Sequence, residues 1–176
     1  VSEAHGGALA VCDDERQEAI APERLGDYVT EKGNPRNVKG VREVAIAYPS
    51  SWLQGRVRLI DTPGIGSVYR HNTDVALRFL PQADAVLFLL SVDQPVGQAE
   101  HDFLKEVSGY AGKTFVLLNK IDLLSEAELH ESLAFTEQTV AEVLGRAKVF
   151  PVSARRAIEA NARSSDVLMQ QSRFSA

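Results

Sequence analysis

A single cysteine, Cys12, stands in this chain, so no disulfide can form within it, and such cysteine usage suits a reducing compartment. Long apolar runs are missing too. The longest, Ala85–Val92, is far too short to cross a bilayer as a helix, and no signal peptide is visible. Positive charge is in deficit, with 19 Lys and Arg against 24 Asp and Glu and a net charge of −5. That balance gives no general electrostatic reason to bind nucleic acid or an anionic lipid surface, and no nucleic-acid partner is expected. His5, His101 and His130 have no metal-ligand spacing with one another or with Cys12. There is no internal repeat and no low-complexity segment. A G-x-x-x-x-G-K-[ST] run is also lacking. Gly112-Lys113-Thr114 imitates the end of one, but Val107 stands where its first glycine is required. The triplet also leads into an apolar strand-like run, not into a helix whose N-terminus would cradle phosphate.

What remains is ordinary globular material. The 176 residues are enough for one domain with a real core, and 44% hydrophobic and 24% charged residues match common usage. Residues 1–21 are mixed and poorly patterned. Pro22 opens a short helix running to about Thr30, and Gly33-Asn34-Pro35 breaks it. Val41–Tyr48 alternates imperfectly and reads as a strand, as does Arg56–Ile60, and the two are expected to pair antiparallel at a sheet edge. Thr73–Leu80 looks helical until Pro81 stops it. Ala83–Val92 reads as an apolar run around Ala85–Leu90, the mark of a strand buried on both faces. Gln98–Tyr110 is helical, with Phe103, Leu104 and Val107 on one side. The strand 114–118 follows, then a long amphipathic helix, Glu126–Leu144, with Ser125 as its N-cap. Lys148–Val152 is a short strand, and residues 154–176 are expected to be helical. Strands alternating with helices of this length predict the α/β class, with a mostly parallel sheet wrapped by helices.

Three motifs follow three of these strands. Asn119-Lys120-Ile121-Asp122 closes the apolar Phe115–Leu118 run. Guanine offers N1–H and its exocyclic amine side by side, and an ionised Asp122 would accept both. Adenine lacks that donor pair and would leave the carboxylate unpaired. Asn119 would bond to the base and to neighbouring loops, and the Lys120 stem would lie along the base plane. Upstream, Asp61-Thr62-Pro63-Gly64 ends the Arg56–Ile60 run. An acidic residue at a strand's C-terminal end sits where open α/β sheets bind ligands, and its carboxylate can hold Mg²⁺ through water. Gly64 would let a backbone N–H approach phosphate. A Pro-Gly turn is the plainer account of the same four residues, and Thr62 fits a turn as well as a phosphate contact. The downstream motif favours the functional reading. Finally Ser153-Ala154 follows the Lys148–Val152 strand, a dipeptide that is by itself also an ordinary helix N-cap.

In that order and placement the three motifs resemble those of the G domain of P-loop GTPases. The resemblance implies a P-loop GTPase-like three-layer α/β/α domain. It also implies that Ser153 braces the Asn119–Asp122 loop and that the Ala154 N–H meets the guanine carbonyl. The segments Tyr28–Pro35, Lys39–Val44, Tyr48-Pro49, Val57–Gly66 and Ser67–Thr73 are similar to the bacterial dynamin-like family, over roughly residues 24–155. Membership implies GTP or GDP and Mg²⁺ as ligands, with GTP hydrolysis in the full-length protein. It implies self-association through the G domain, and a helical stalk and membrane-binding tip beyond Ala176. A cytoplasmic location follows, peripheral at the inner face of the cell membrane.

Because the chain begins at Val1 without a P-loop, the expectation is an N-terminally incomplete domain. Residues 1–155 would be a partial G domain, from after switch I to the Ser153-Ala154 loop. Residues 156–176 would be its final helix or the start of the stalk. The fragment alone is expected to be inactive, and no catalytic residue is named. Ile65, where small signalling GTPases place a water-orienting Gln, has no polar side chain. Two other readings stand beside this one: a fragment of a ribosome-associated, Era-like small GTPase, and a non-hydrolysing GTPase-like interaction module. Arg70, His71, Arg155 and Arg156 read as solvated residues, Asp93 as a turn former and Trp52 as packing.

Overall fold

The computed structural model describes residues 7–53, 55, 57–62, 76–94, 96–110, 113–145 and 148–174, except for the side chain of Trp52. They fall into two units, Val1–Ile60 and Asp61–Ala176.

In the first unit the stretch that reads as unpatterned forms a hairpin. β1 (Ala8–Cys12) turns at Asp13-Asp14-Glu15 into β2 (Gln17–Ile20), and Glu15 takes the left-handed φ of 64° at the turn. β3 (Val41–Ile46) pairs antiparallel with the other edge of β1, so the order is β2-β1-β3. Ala8, Ala10, Ile20 and Tyr28 form the core of this unit, with Leu25, Val41 and Val44 packed on it. The helix expected from Pro22 is two pieces, a 3-10 turn at Pro22–Arg24 and one helical turn, α1 (Gly26–Val29). Gly33 follows because nothing larger fits: a Cβ there would lie 2.2 Å from the Gly26 carbonyl oxygen.

Among the described residues the expected pairing of 41–48 with 56–60 does not form. β3 takes β1 as its partner, and residues 57–60 are not a strand. Val57, Leu59 and Ile60 are exposed. Their alternation is strand-like, but a strand exists only where a neighbour accepts its backbone hydrogen bonds.

The second unit holds the parallel sheet. β4 (Val86–Ser91), β5 (Thr114–Asn119) and β6 (Val149–Pro151) lie in that order, all parallel. Residues 76–79 are helical and a 3-10 turn at Leu80–Gln82 follows, while 73–75 of the expected helix lie outside the described residues. The helices α2 (Gln98–Tyr110) and α3 (Glu126–Leu144) pack against one another. Phe88 and Leu90 of β4, Val116 and Leu118 of β5 and Val149 of β6 meet Leu104 of α2 and Val140 of α3 in one core.

Alternation sends Leu87, Leu89, Phe115, Leu117 and Phe150 to the opposite face. There Leu87 and Leu89 are each 60% exposed and Phe115 is 39% exposed. The expectation that 83–92 is buried on both faces is therefore corrected. A continuous apolar run shows that two faces are apolar, not that both are covered.

Ser125 caps α3 as its sequence position predicts. Its N–H donates to Glu128 Oε2 at 2.8 Å, and its Oγ accepts from the Glu128 N–H at 3.4 Å. Ser125→Ala is expected to cost about 1 kcal/mol at neutral pH, read as a lower denaturant midpoint. The Ser125 hydroxyl first, and its backbone N–H second, hold the Glu128 carboxyl below its ordinary range. A carboxylate depressed in the folded state contributes stability that is full above its unfolded pKa and lost as pH falls through the folded value. The Ser125→Ala penalty should accordingly shrink in acid.

The last predicted helix is two. α4 (Ala154–Arg163) ends at Ser164, which is left-handed, and Ser165 caps α5 (Asp166–Ser172) by accepting from the Leu168 N–H. Adjacent serines offer the backbone side-chain partners in place of a continuous helix.

Candidate functional site

Parallel strands deliver their C-terminal ends to one edge of a sheet, and the loops leaving them become neighbours. Here the loops after β4, β5 and β6 carry Ser91–Gln94, Asn119–Asp122 and Ser153-Ala154. The backbone ties them together. The Val92 N–H donates to the Asn119 carbonyl at 3.1 Å, and the Ile121 N–H to the Val152 carbonyl at 3.4 Å.

Ser153 is wholly buried, and its hydroxyl serves two neighbours. It donates to Asp122 Oδ1 at 2.6 Å and accepts from the Arg156 N–H at 3.1 Å, so one side chain caps α4 and aims a carboxylate. The Ser153 N–H donates to the Ser172 carbonyl at 2.9 Å, which holds α5 under the same loop. The other Asp122 oxygen, Oδ2, lies 3.6 Å from the exposed Arg155 guanidinium. Asn119 Oδ1 accepts from the Lys120 N–H at 2.8 Å and from the Ala154 N–H at 3.1 Å. Asn119 thus bridges the β5 and β6 loops.

Lys120 stands at φ 67° and ψ 28°, a left-handed backbone in a residue with a Cβ. Such a conformation costs energy and persists where surrounding contacts enforce it. Its ammonium meets Asp93 Oδ2 at 2.8 Å. The Ser91 hydroxyl donates to Asp93 Oδ1. Lys120 first, then Ser91, hold the Asp93 carboxyl below the usual carboxylate range.

The structure therefore brings Asn119, Lys120, Asp122, Ser153 and Ala154 together. Asp61 and Thr62 are exposed, and among the described residues no hydrogen bond or ion pair links them to that cluster. Pro63 and Gly64, with Arg70 and His71, lie outside the described residues. Among the described residues no three His, Cys, Asp or Glu side chains are grouped to hold a metal ion by themselves. Two participants were missed from sequence. Asp93 reads as a turn former and Arg155 as a solvated helix residue, because the partner of each stands on a different strand-end loop, 27 residues along the chain in the case of Asp93. The one available signal for Asp93 was its place at the end of a parallel strand beside the β5 loop.

The model of the dynamin family matches residues 10–121. A protein of Caldicellulosiruptor sp. (strain Rt8B.4), described as an uncharacterized protein in the xynA 3' region, is 40% identical over 155 residues, covering 87% of this chain and 39% of that protein. The probable transmembrane GTPase FZO-like, chloroplastic, of Arabidopsis thaliana is 34% identical over 107 residues, covering 59% of this chain and 12% of that protein. Among solved structures, one described as an oligomerised bacterial dynamin pair matches with a TM-score of 0.62 and 17% identity, over 94% of this chain and 27% of that one. That likeness concerns the fold, and the chain spans well under half the length of each of these relatives.

Proposed function

The chain belongs to the dynamin family, and from that premise we propose that its β5 and β6 loops form the guanine-recognition side of a GTP-hydrolysing domain. One observation carries the reading: the Asp122 carboxylate, held at 2.6 Å by the buried Ser153 hydroxyl. An acceptor fixed before its ligand arrives loses little entropy on binding. Asp122 takes the guanine N1–H and amine, and Arg155 moves off Oδ2 to admit them. Asn119 keeps the two loops in register, and the Lys120 stem flanks the base. The Ala154 N–H is already engaged by Asn119 Oδ1, so it reaches the guanine carbonyl only as a shared donor.

Asp61 is an exposed carboxylate at the start of the 61–64 motif. One such group suits Mg²⁺, which keeps most of its waters and takes its other ligands from phosphate. Asp61 would hold the ion through water, and Thr62, Pro63 and Gly64 would approach the phosphates. The ion would supply charge neutralisation on the transferring phosphoryl group.

In this reading residues 1–155 contribute to the G domain, and 156–176 are its final helices or lead into a stalk. Family membership supports hydrolysis, self-association through the G domain and membrane remodelling by the full-length protein. It favours these over the Era-like alternative. Among the described residues no helix is long and apolar enough to cross a membrane.

The test is competition against a fluorescent GDP on the full-length gene product. GTP and GDP should displace the probe at least about a hundredfold more effectively than ATP, since ATP leaves the Asp122 charge without its donors. Equal displacement by ATP would overturn the reading.

A further inference from the structure

We propose that Asp93 is a positioning residue for nucleotide binding, anchoring the Lys120 ammonium so that its stem stands ready beside the base. The inference rests on the guanine-site reading above and adds a residue that touches no nucleotide.

Lys120 has a long stem with many rotamers, and its usefulness against a flat base depends on where that stem lies. Two observations locate it. The left-handed backbone at φ 67° sets the direction in which the side chain leaves the loop. The 2.8 Å bond to Asp93 Oδ2 then fixes its far end. Asp93 is itself oriented, since Ser91 donates to its other oxygen. The turn that carries it is closed by the Gln94 N–H on the Ser91 carbonyl at 3.1 Å. With both ends held, the stem is ordered before the base arrives, and nucleotide binding does not bear that entropy.

The backbone register of the two loops has an independent support, the Val92 N–H to Asn119 carbonyl bond. Replacing the Asp93 carboxylate by an amide therefore perturbs the anchor and leaves the loop connection in place. The pair is partly exposed, with 49% and 43% of the two side chains accessible. Such pairs are weak, so the expected effect is modest: about threefold to fivefold in affinity, shrinking at high salt.

The experiment is a double-mutant cycle on the full-length gene product, with Kd for fluorescent GDP and steady-state GTP hydrolysis as readouts. Asp93→Asn should raise Kd and KM about threefold to fivefold while kcat changes less than about twofold, because the base is remote from the reacting phosphate. In a Lys120→Ala background, which has no stem to place, Asp93→Asn should change nothing. Thermal unfolding of each variant checks that the fold survives. Equal effects of Asp93→Asn in both backgrounds, or none in the wild type, would overturn the proposal. If Asp122→Ala abolishes binding while Asp93→Asn is silent, the positioning role fails and the guanine site stands. If the wild type binds no guanine nucleotide, both readings fall.

Discussion

Asp122→Asn is expected to lower affinity for GTP by about a hundredfold or more and to raise affinity for XTP. A carboxylate accepts from two adjacent donors, and guanine presents two. An amide presents one acceptor and one donor. Facing guanine, the new NH₂ group meets the exocyclic amine, so two donors confront each other in a desolvated site. Xanthine carries a carbonyl at that position beside the same N1–H, and the amide satisfies both. The amide oxygen of the variant can still accept from Ser153, whose hydroxyl now donates to Asp122 Oδ1 at 2.6 Å, so the loop should keep its shape. Direct titration of the wild type and the variant with a fluorescent guanine nucleotide and with a fluorescent xanthine nucleotide measures the exchange. Unchanged GTP affinity would remove Asp122 from base recognition, and with it the observation that carries the proposed function.

Leu118→Ala is expected to destabilise the second unit by about 2–5 kcal/mol, the range for truncating a buried leucine. Leu118 is 2% exposed and belongs to the core that β4, β5 and β6 share with α2 and α3. Its carbonyl accepts from the Val152 N–H at 2.9 Å, and the next residue is Asn119. Loosening it should therefore weaken nucleotide binding as well as stability. Leu87→Ala is the informative contrast. The same chemical change on the open face of β4 should cost less than about 0.5 kcal/mol, as surface substitutions commonly do. Urea unfolding of the two variants side by side tests which face is the core. Equal losses would mean that the Leu87 face is covered in the protein as it exists.

Much of the second unit was legible in sequence. The strands around Phe88, Val116 and Val149 stand where apolar runs place them, give or take a few residues at their ends, and the long helix starts at the residue after Ser125. These are local signals, set by side-chain periodicity and capping chemistry. The misses have a different cause. Ala8–Cys12 is rich in alanine and lies beside charge, so it does not stand out as a strand. Residues 57–60 have strand periodicity and, among the described residues, no strand partner. Both depend on which other segment is adjacent, and no window of sequence states that.

The same division runs through the candidate site. The sequence alone determined the chemistry on offer: an Asn-Lys-x-Asp loop and a Ser-Ala turn at successive strand ends, with an Asp-Thr-Pro-Gly string before them. It also determined the alternation that makes the sheet parallel. The resemblance already implied that Ser153 braces the Asn119–Asp122 loop, but only the tertiary structure decided that its hydroxyl holds Asp122 Oδ1, that Arg155 stands at the second carboxylate oxygen and that Asp93 holds Lys120. It also decided that α2 and α3 cover one face of β4 and leave Leu87 and Leu89 on the other exposed. The physical reason is common to all four. Strand ends and helix faces are specified by residues a few positions apart, whereas these contacts join groups that only the register of neighbouring strands and the packing of helices bring within reach.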